Sequence, residues 1–421
     1  MTIKVNFSSA IDYILVFLLI SLSGNNVFGT GALLLTFFLS GFVFFHRNKK
    51  LDLPFVYFLL GLTFILFLQN LRFDFYPWIT IFGIYVTILT AYFIVKSVGQ
   101  TFIEKYVSIM LIISLISLGF FVLLNIIPGL AKYLTSFALV VVEKNVDLNE
   151  GNGRYYLGIV TIIINKYQAF DFFRNHGPFW EAGAFAGYLM IALIFNIMRT
   201  GRLLNRAGKI LIITILTTFS TTAYIVLFIL MASYMIAMKH YKILKWLLLP
   251  VIISLGIISF FNLKFLGNKI SNTIAMAQNI SIINDKRVSS RFVDAVRDIR
   301  DFQGHELIGR GLNLNTRLSE VSKRLSLPYR TNGFTQLFIK FGSIFAIYIF
   351  FLLYSNQSVL IERYQYFHKP FAIINFFIII LLLQAETYFD YPLFWSLLFL
   401  YSAYINNEKE NDALYRNPRI Q

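Results

Sequence analysis

The amino-acid sequence predicts an all-α fold, a polytopic transmembrane bundle of about twelve helices. Apolar residues make up 57% of the 421 positions, and charged residues only 14%. A soluble domain needs a charged surface that this composition does not provide. The apolar residues also gather in runs close to the roughly 17 to 25 residues that a helix needs to cross a bilayer. We therefore expect a single integral membrane domain over residues 1–421.

Ten apolar runs are candidate spans. The first follows one cation, Lys4, and no small-residue cleavage pattern comes after it, so we interpret it as an uncleaved span and not as a signal peptide. The candidates lie near 11–23, 31–45, 53–69, 78–95, 107–124, 182–198, 246–262, 334–354, 370–385 and 391–405.

The apolar stretch 210–238 has two interpretations, one long span or two short helices that meet near the polar residues Ser220, Thr221 and Thr222. Lys and Arg flank both of its ends, and short cytoplasmic loops collect these residues. Both ends are therefore predicted to be cytoplasmic, which favours two helices. Such a break is tolerated at membrane depth only where protein covers it or it lines a cavity. The total becomes twelve spans, with both termini in the cytoplasm.

The distribution of cations is consistent with this topology. Of 37 Lys and Arg residues, 18 fall in predicted cytoplasmic segments and only Arg72 falls in a short outer loop. Lys340 falls within a span, and the remaining 17 lie in two long outer loops near 125–180 and 262–333, which the rule does not govern. Both loops are expected to contain short helices. In the first, the apolar stretches 130–142 and 155–164 are expected to lie on the membrane surface.

The second outer loop, residues 262–333 and hereafter the large loop, is rich in arginine. It carries eight Arg and four Lys against six acids. The planar guanidinium can bind phosphate oxygens in a bidentate manner, which an ammonium cannot. The loop therefore predicts an anionic ligand. The candidate ligand-binding arginines are Arg291, Arg300, Arg310 and Arg330.

A plainer interpretation of part of the large loop is a solvated amphipathic helix. Charged residues recur there at spacings of three and four, which allow ion pairs along one helix face. They are Arg287, Arg291, Asp294, Asp298 and Asp301.

A second candidate segment runs from Arg174 to Phe185 and contains His176 and Glu181. Glu181 is expected where the sixth span begins, at the membrane interface. An ionisable group at that depth indicates a functional site, although a carboxylate could also cap the helix N-terminus. A third, weaker feature is Gly309-x-Gly311, a pattern that is more often a turn than a phosphate site.

Other common catalytic patterns are absent from the sequence. It contains no P-loop, no His-Glu-x-x-His motif and no cysteine. His176 and His305 are the only histidines in the predicted outer loops, too few for a histidine-based metal site. We expect no metal and no cofactor.

At these residues the chain resembles the O-antigen polymerase and O-antigen ligase superfamily. Arg174 to Phe185 is similar to that family's Arg, Gly, Phe, Glu-Pro-Gly signature, with Ala182 in place of the proline. The order and topological placement of the other landmarks also match, over about the last 250 residues. These landmarks are the break at Ser220 to Thr222, Ser290-Arg291, Gly309-x-Gly311, Asn332 and Gly342.

The resemblance implies a glycosyltransferase at the outer face of the bacterial inner membrane, acting on sugars carried by undecaprenyl pyrophosphate. Ligases of the family carry a histidine before the tenth span, where this chain has Arg330-Thr331-Asn332. We therefore expect a polymerase of O-antigen, capsular or exopolysaccharide repeat units, with a ligase to lipid A-core as the alternative. The expected partners are the lipid-linked glycans, the bilayer and a chain-length regulator, with no nucleic acid.

The expected mechanism is metal-independent and inverting. Arg174 and Arg291 would neutralise the pyrophosphate as it leaves, and Glu181 would orient or deprotonate the acceptor hydroxyl. Asp294 and His305 are weaker alternatives for the base. The expected substrate-binding residues are Arg300, His305, Arg310, Arg330, Asn332 and His176.

A flippase or other transporter for lipid-linked oligosaccharide is the rival from another functional class. Transporters place charge near the bilayer midplane and often have repeated halves. The spans here are nearly uncharged and the two halves differ, so we favour the enzyme.

Overall fold

A computed structural model describes residues 7–143, 153–164, 172–237, 285, 290–325 and 330–404. Within these ranges the chain is mainly helical, and four helical stretches are long and apolar enough to cross a membrane. The mainly helical fold with apolar helices of membrane-spanning length is thus confirmed, while the number of twelve spans stays a prediction. Candidate span 246–262 lies outside the described residues. The four stretches are Leu53–Phe73, Trp78–Ile126, Ala182–Thr200 and Gly333–Tyr364.

The N-terminal part of the chain consists of five apolar helices. A 3-10 turn at Gly99–Thr101 joins the fourth and fifth, so that two predicted spans form one continuous stretch. The helices are α1 (Phe7–Ser21), α2 (Thr30–His46), α3 (Leu53–Phe73), α4 (Trp78–Val98) and α5 (Phe102–Ile126).

The first outer loop departs from the expectation of short helices alone. It contains one short helix, α6 (Leu130–Thr135), followed by a three-stranded antiparallel sheet in the order β1-β2-β3. Valine and isoleucine dominate β1 and β3, and such β-branched residues pack well on a pleated surface. Of the two apolar stretches expected to lie on the membrane surface, 130–142 contains α6 and most of β1, and 155–164 contains the end of β2 and all of β3. The strands are β1 (Val140–Glu143), β2 (Gly153–Tyr156) and β3 (Thr161–Ile164).

The C-terminal part of the described chain is built around α7, which is almost wholly buried. Helices α5, α8 and α9 pack directly against it. The remaining elements are α7 (Ala182–Thr200), α8 (Arg206–Thr217), α9 (Thr221–Ala237), α10 (Arg291–Phe302), α11 (Leu314–Arg317), α12 (Glu320–Arg324), α13 (Gly333–Tyr364), α14 (Pro370–Ala385) and α15 (Pro392–Ser396), which a 3-10 helix extends to Ala403.

The predicted break near Ser220 is present between α8 and α9. Phe219 adopts a left-handed conformation there, with φ +48°, and the last carbonyl groups of α8 are left without helical partners. Arg174 donates from Nε to the carbonyl oxygen of Thr218 at 2.9 Å and from Nη2 to that of Phe219 at 3.0 Å. Protein thus covers the break, as an interruption within a membrane helix pair requires.

Charged residues sort to the two ends of the bundle. Arg47 pairs with Asp12 at 2.6 Å, and Lys96 pairs with Asp52 at 2.8 Å, at the end where α2 and α4 finish. At the other end Arg72 donates to a backbone carbonyl of the large loop. Arg47 and Lys96, two of the cations predicted to be cytoplasmic, therefore lie at the end opposite the large loop.

Helix α13 is kinked at Gly342, which has φ +73°. The chain around Gly309 packs into this kink: the Arg310 amide donates to the carbonyl oxygen of Ile339 at 2.7 Å. A Cβ atom on Gly309 would lie 2.5 Å from the Gly342 nitrogen. The Gly-x-Gly pattern thus forms a turn against a helix, which was its plainer interpretation.

Gln69 of α3 links the first and last parts of the fold at the same kink. Its side-chain amide donates to the carbonyl oxygens of Ile308, in the large loop, and of Lys340, the latter at 2.8 Å. The kink leaves the Lys340 carbonyl beside a non-helical residue, and Gln69 satisfies it.

We predict that Gly342→Ala and Gly309→Ala each lower the stability of the protein by about 1–3 kcal/mol, because both glycines have positive φ and no space for a Cβ atom. Gly119→Ala is the matched control, since it lies in a helix with nothing within 4 Å of the added carbon. Thermal unfolding of the detergent-purified variants measures the difference. Equal melting temperatures for Gly342→Ala and Gly119→Ala would contradict the prediction.

Candidate functional site

Three helix ends meet at the large-loop end of the bundle and bring together one arginine and two carboxylates. Glu181 immediately precedes α7, Arg291 begins α10 and Glu386 follows α14. Arg291 Nη2 donates to Glu181 Oε2 at 3.2 Å and also to Glu386 Oε1. Gly183 permits this approach, because a Cβ atom there would lie 3.1 Å from Glu386 Oε1. We call Glu181, Arg291 and Glu386 the Arg291 cluster.

The capping interpretation of Glu181 is wrong. Glu181 occupies the N-cap position of α7 with extended backbone, but its side chain accepts no hydrogen bond from the helix. The carboxylate turns to Arg291 instead. Glu181 therefore belongs to an ion pair between distant segments of the chain and is not a local helix cap.

The two carboxylates of the Arg291 cluster have opposite electrostatic environments. Burial raises the pKa of Glu386 to about 8; the charge of Glu181 adds to the rise and Arg291 opposes it. Burial acts in the same direction on Glu181, but Arg291, Arg154 and Arg174 outweigh it and hold the pKa of Glu181 well below its usual range. These opposite shifts favour the protonated form of Glu386 and the ionised form of Glu181.

Exposure also distinguishes the members of the cluster. The side chains of Arg291 and Glu181 are 33% and 37% exposed, whereas that of Glu386 is 6% exposed. Arg291 uses only Nη2 in its contacts with the two carboxylates. A guanidinium carries five N–H donors, so Arg291 retains donors that can bind an anion from outside.

The predicted site residues Arg174 and His176 lie near Glu181, inside the protein. Arg174 covers the break after α8 and contributes positive charge near Glu181. His176 is buried, and its Nδ1 lies 2.8 Å from the carbonyl oxygen of Arg174. Burial and the charge of Arg174 lower the pKa of His176 to about 3. His176 is therefore a neutral, packed side chain at neutral pH.

Arg330 lies in a buried ion network within the large loop. Its Nε is 3.3 Å from Asp298 Oδ1, and its Nη2 is 2.7 Å from Asp301 Oδ2. Ser322 donates to Asp301 in the same network, and Thr335 donates to Asp298. Burial raises the pKa of Asp298 to about 7, while the hydrogen bond from Thr335 opposes the rise. Arg330 thus holds α10 against the start of α13.

The interpretation of α10 as a solvated amphipathic helix is wrong. Its acidic residues face the protein: Asp294 is fully buried and pairs with Arg297 at 3.1 Å. The exposed side of the helix carries Phe292 and Ile299 instead. Arg287, the first residue of the proposed charged face, lies outside the described residues.

Asn332 and Arg300 bind within the protein. Asn332 caps α13 by accepting from the Thr335 amide at 3.0 Å, and its Nδ2 donates to the carbonyl oxygen of Arg291 at 3.3 Å. Asn332 therefore helps to position Arg291. Arg300 donates from Nη2 to Ser322 Oγ at 3.3 Å.

His305 and Arg310 gather around Phe73 of α3. The His305 ring stacks on Phe73 with centroids 5.3 Å apart, and the Arg310 guanidinium lies 5.7 Å from the Phe73 ring centroid. Arg310 also donates to the carbonyl oxygen of Thr316 at 2.9 Å. Within the described part of the chain, neither side chain contacts the Arg291 cluster.

Sequence reasoning missed Glu386 and Arg154. Glu386 directly follows the apolar run 370–385, so the rule that selected Glu181, an ionisable group at the end of a span, also applied to it. Arg154 lies in β2, and nothing in the local sequence links that strand to Glu181.

No protein-family model, curated protein or solved structure matches the chain. The resemblance to the O-antigen polymerase and ligase superfamily therefore depends on the motifs and their order alone.

The raised pKa of Glu386 predicts a stability that falls as pH rises. Between its ordinary value of 4.5 and about 8 the folded state holds a proton that the unfolded state has lost. The melting temperature should decrease from pH 6 to pH 9, and Glu386→Gln should reduce that decrease. Asp298→Asn should also reduce the decrease in melting temperature, because burial raises the pKa of Asp298 as well.

The control is Glu320→Gln, because Glu320 is exposed in the same large loop. Thermal unfolding in detergent across this pH range measures the slope. A Glu386→Gln slope equal to that of the wild type would show that Glu386 is ionised throughout.

Proposed function

We propose that the chain is a membrane glycosyltransferase that polymerises oligosaccharide repeat units carried on undecaprenyl pyrophosphate, at the outer face of the bacterial inner membrane. The observation that carries the proposal is the Arg291 cluster. It combines a partly exposed guanidinium with an ionised carboxylate at one end of an apolar bundle. A guanidinium suits a lipid-linked pyrophosphate, and a carboxylate suits a sugar hydroxyl.

Arg291 binds the pyrophosphate in this proposal. Its unused N–H groups bind phosphate oxygens, while Glu181 and Glu386 hold the guanidinium in place. Preorganised positive charge stabilises the negative charge that develops on a leaving group. Arg174 adds positive charge near Glu181. The buried Arg330 holds α10 in place and therefore fixes the position of Arg291.

Glu181 acts as the base. The acceptor hydroxyl oxygen attacks the anomeric carbon, the bond from that carbon to the pyrophosphate oxygen breaks, and the pyrophosphate leaves with the electron pair. Glu181 takes the hydroxyl proton. A single in-line displacement inverts the anomeric centre. When Glu386 is protonated, only Glu181 offsets the charge of Arg291, and once Glu181 has taken the hydroxyl proton that positive charge faces the leaving pyrophosphate.

A polymerisation assay with the purified protein distinguishes the proposed enzyme from a transporter. Full-length protein in liposomes, supplied with lipid-linked repeat units and no energy source, should lengthen the glycan. A transporter would move the lipid without lengthening it, and a ligase would need lipid A-core as acceptor.

In this assay we expect Arg291→Lys to lose activity nearly as fully as Arg291→Ala, because a point charge does not reproduce the bidentate fork. A loss of about 100-fold or more corresponds to the roughly 2.7–4 kcal/mol that one charge-stabilising donor contributes to catalysis. Arg324→Lys is the control, since Arg324 is exposed in the same loop. Full polymer length from Arg291→Lys would remove Arg291 from substrate binding.

We expect Glu181→Gln to be well folded but inactive, because glutamine preserves size and can still contact Arg291 but cannot take a proton. The cost in stability should be modest, since Glu181 makes no capping hydrogen bond. Membrane abundance and melting temperature provide the folding measurement, and polymer length provides the activity. Near-normal polymer from Glu181→Gln would exclude it as the base; Asp294, which is fully buried and paired with Arg297, and His305, which stacks on Phe73, do not replace it.

A further inference from the structure

A polar cavity lies at the end of the bundle opposite the Arg291 cluster. It has a volume of about 270 Å³ and is lined by the chain after α2 and by the C-terminal end of α4. The lining residues used below are Lys49, Lys96, Ser97, Gln100 and Ser402. The Arg291 cluster shares no residue with this cavity.

Two lining side chains carry buried polar atoms without partners. Among the described residues, neither Ser97 Oγ nor Gln100 Nε2 makes a hydrogen bond, although both atoms are buried. Buried polar atoms in folded proteins are almost always hydrogen-bonded, so such orphans indicate a bound water, ion or ligand. Lys96 differs: it donates to Asp52 and to the carbonyl oxygen of Ser402. Its charge is therefore neutralised.

The cavity offers donors and positive charge. Gln100 Oε1 accepts from Arg363 Nη2 at 3.2 Å, which leaves the Gln100 amide nitrogen as the free group. Lys49 is half-buried in the lining and forms no ion pair with another described residue. A hydroxyl, an amide N–H and an ammonium together suit an anion with several acceptor oxygens, and a phosphate has this chemistry.

The cavity lies beside lipid-facing surface. Along the chain Lys49 falls between Phe45 and Leu53, whose side chains are both largely exposed. This is also the end that carries Arg47 and Lys96, two of the cations predicted to be cytoplasmic. Basic pockets between transmembrane helices on that side of a membrane bind the head groups of anionic lipids.

We propose that this cavity binds the phosphate of an anionic phospholipid, with Lys49, Ser97 and Gln100 as the phosphate-binding residues. The acyl chains lie on the exposed apolar surface beside Lys49. The site is independent of the Arg291 cluster and of the reaction proposed for it.

Binding of phosphatidylglycerol to the detergent-purified full chain, measured by native mass spectrometry, tests the proposal. Wild type should retain the lipid in preference to phosphatidylcholine. Lys49→Ala should bind it about five-fold more weakly, the effect of one basic residue at a lipid surface, and Ser97→Ala should also weaken it. Lys50→Ala is the matched control, because Lys50 is the exposed neighbour and does not line the cavity.

Equal affinities of Lys49→Ala and Lys50→Ala would overturn the site. A titration with inorganic phosphate separates the two sources of a phosphate group: if free phosphate displaces phosphatidylglycerol at equal concentration, the assignment to lipid is overturned. Melting temperatures measured without added lipid identify any variant that is misfolded. If Lys49→Ala is misfolded, Ser97→Ala, which removes only one oxygen atom, is compared with the wild type for lipid affinity instead.

Discussion

The position of the site depends on the burial of Arg330 between Asp298 and Asp301. A buried charge without a partner costs several kcal/mol, and removal of one member of a buried pair leaves such a charge. Arg330 therefore holds α10 with its acidic face against the start of α13. Arg291 is the first residue of α10, so this constraint also brings its guanidinium to Glu181 and Glu386.

Much of the helical framework could be predicted because hydropathy is a local property. The predicted span 182–198 corresponds to Ala182–Thr200, and the polar residues at Ser220 mark the break between α8 and α9. Glu181 and Arg291 were selected separately, one for its depth and the other for its chemistry. The fold joins them directly, a contact between residues that no local pattern relates.

The partners of the arginines could not be predicted. In the sequence Arg291 and Arg330 look alike, as two arginines of one basic loop. In the fold Arg330 is fully buried, whereas Arg291 is one-third exposed, because their environments depend on which distant segments pack around them. The effect of Arg154 on Glu181 could not be predicted for the same reason. It depends on the folding of β2 with β1 and β3, which brings Arg154 near Glu181.

The contacts of Gln69 bear on how the chain assembles. Its amide satisfies carbonyl groups of Ile308 and Lys340, which follow it by 239 and 271 positions. Unpaired backbone groups are not tolerated in hydrocarbon. If the polypeptide were divided within the large loop, the Gln69 amide and the Lys340 carbonyl would lie on different fragments, and each would lose its partner in the intact fold. The two pieces would thus be complementary, and neither would be an autonomous module of the membrane.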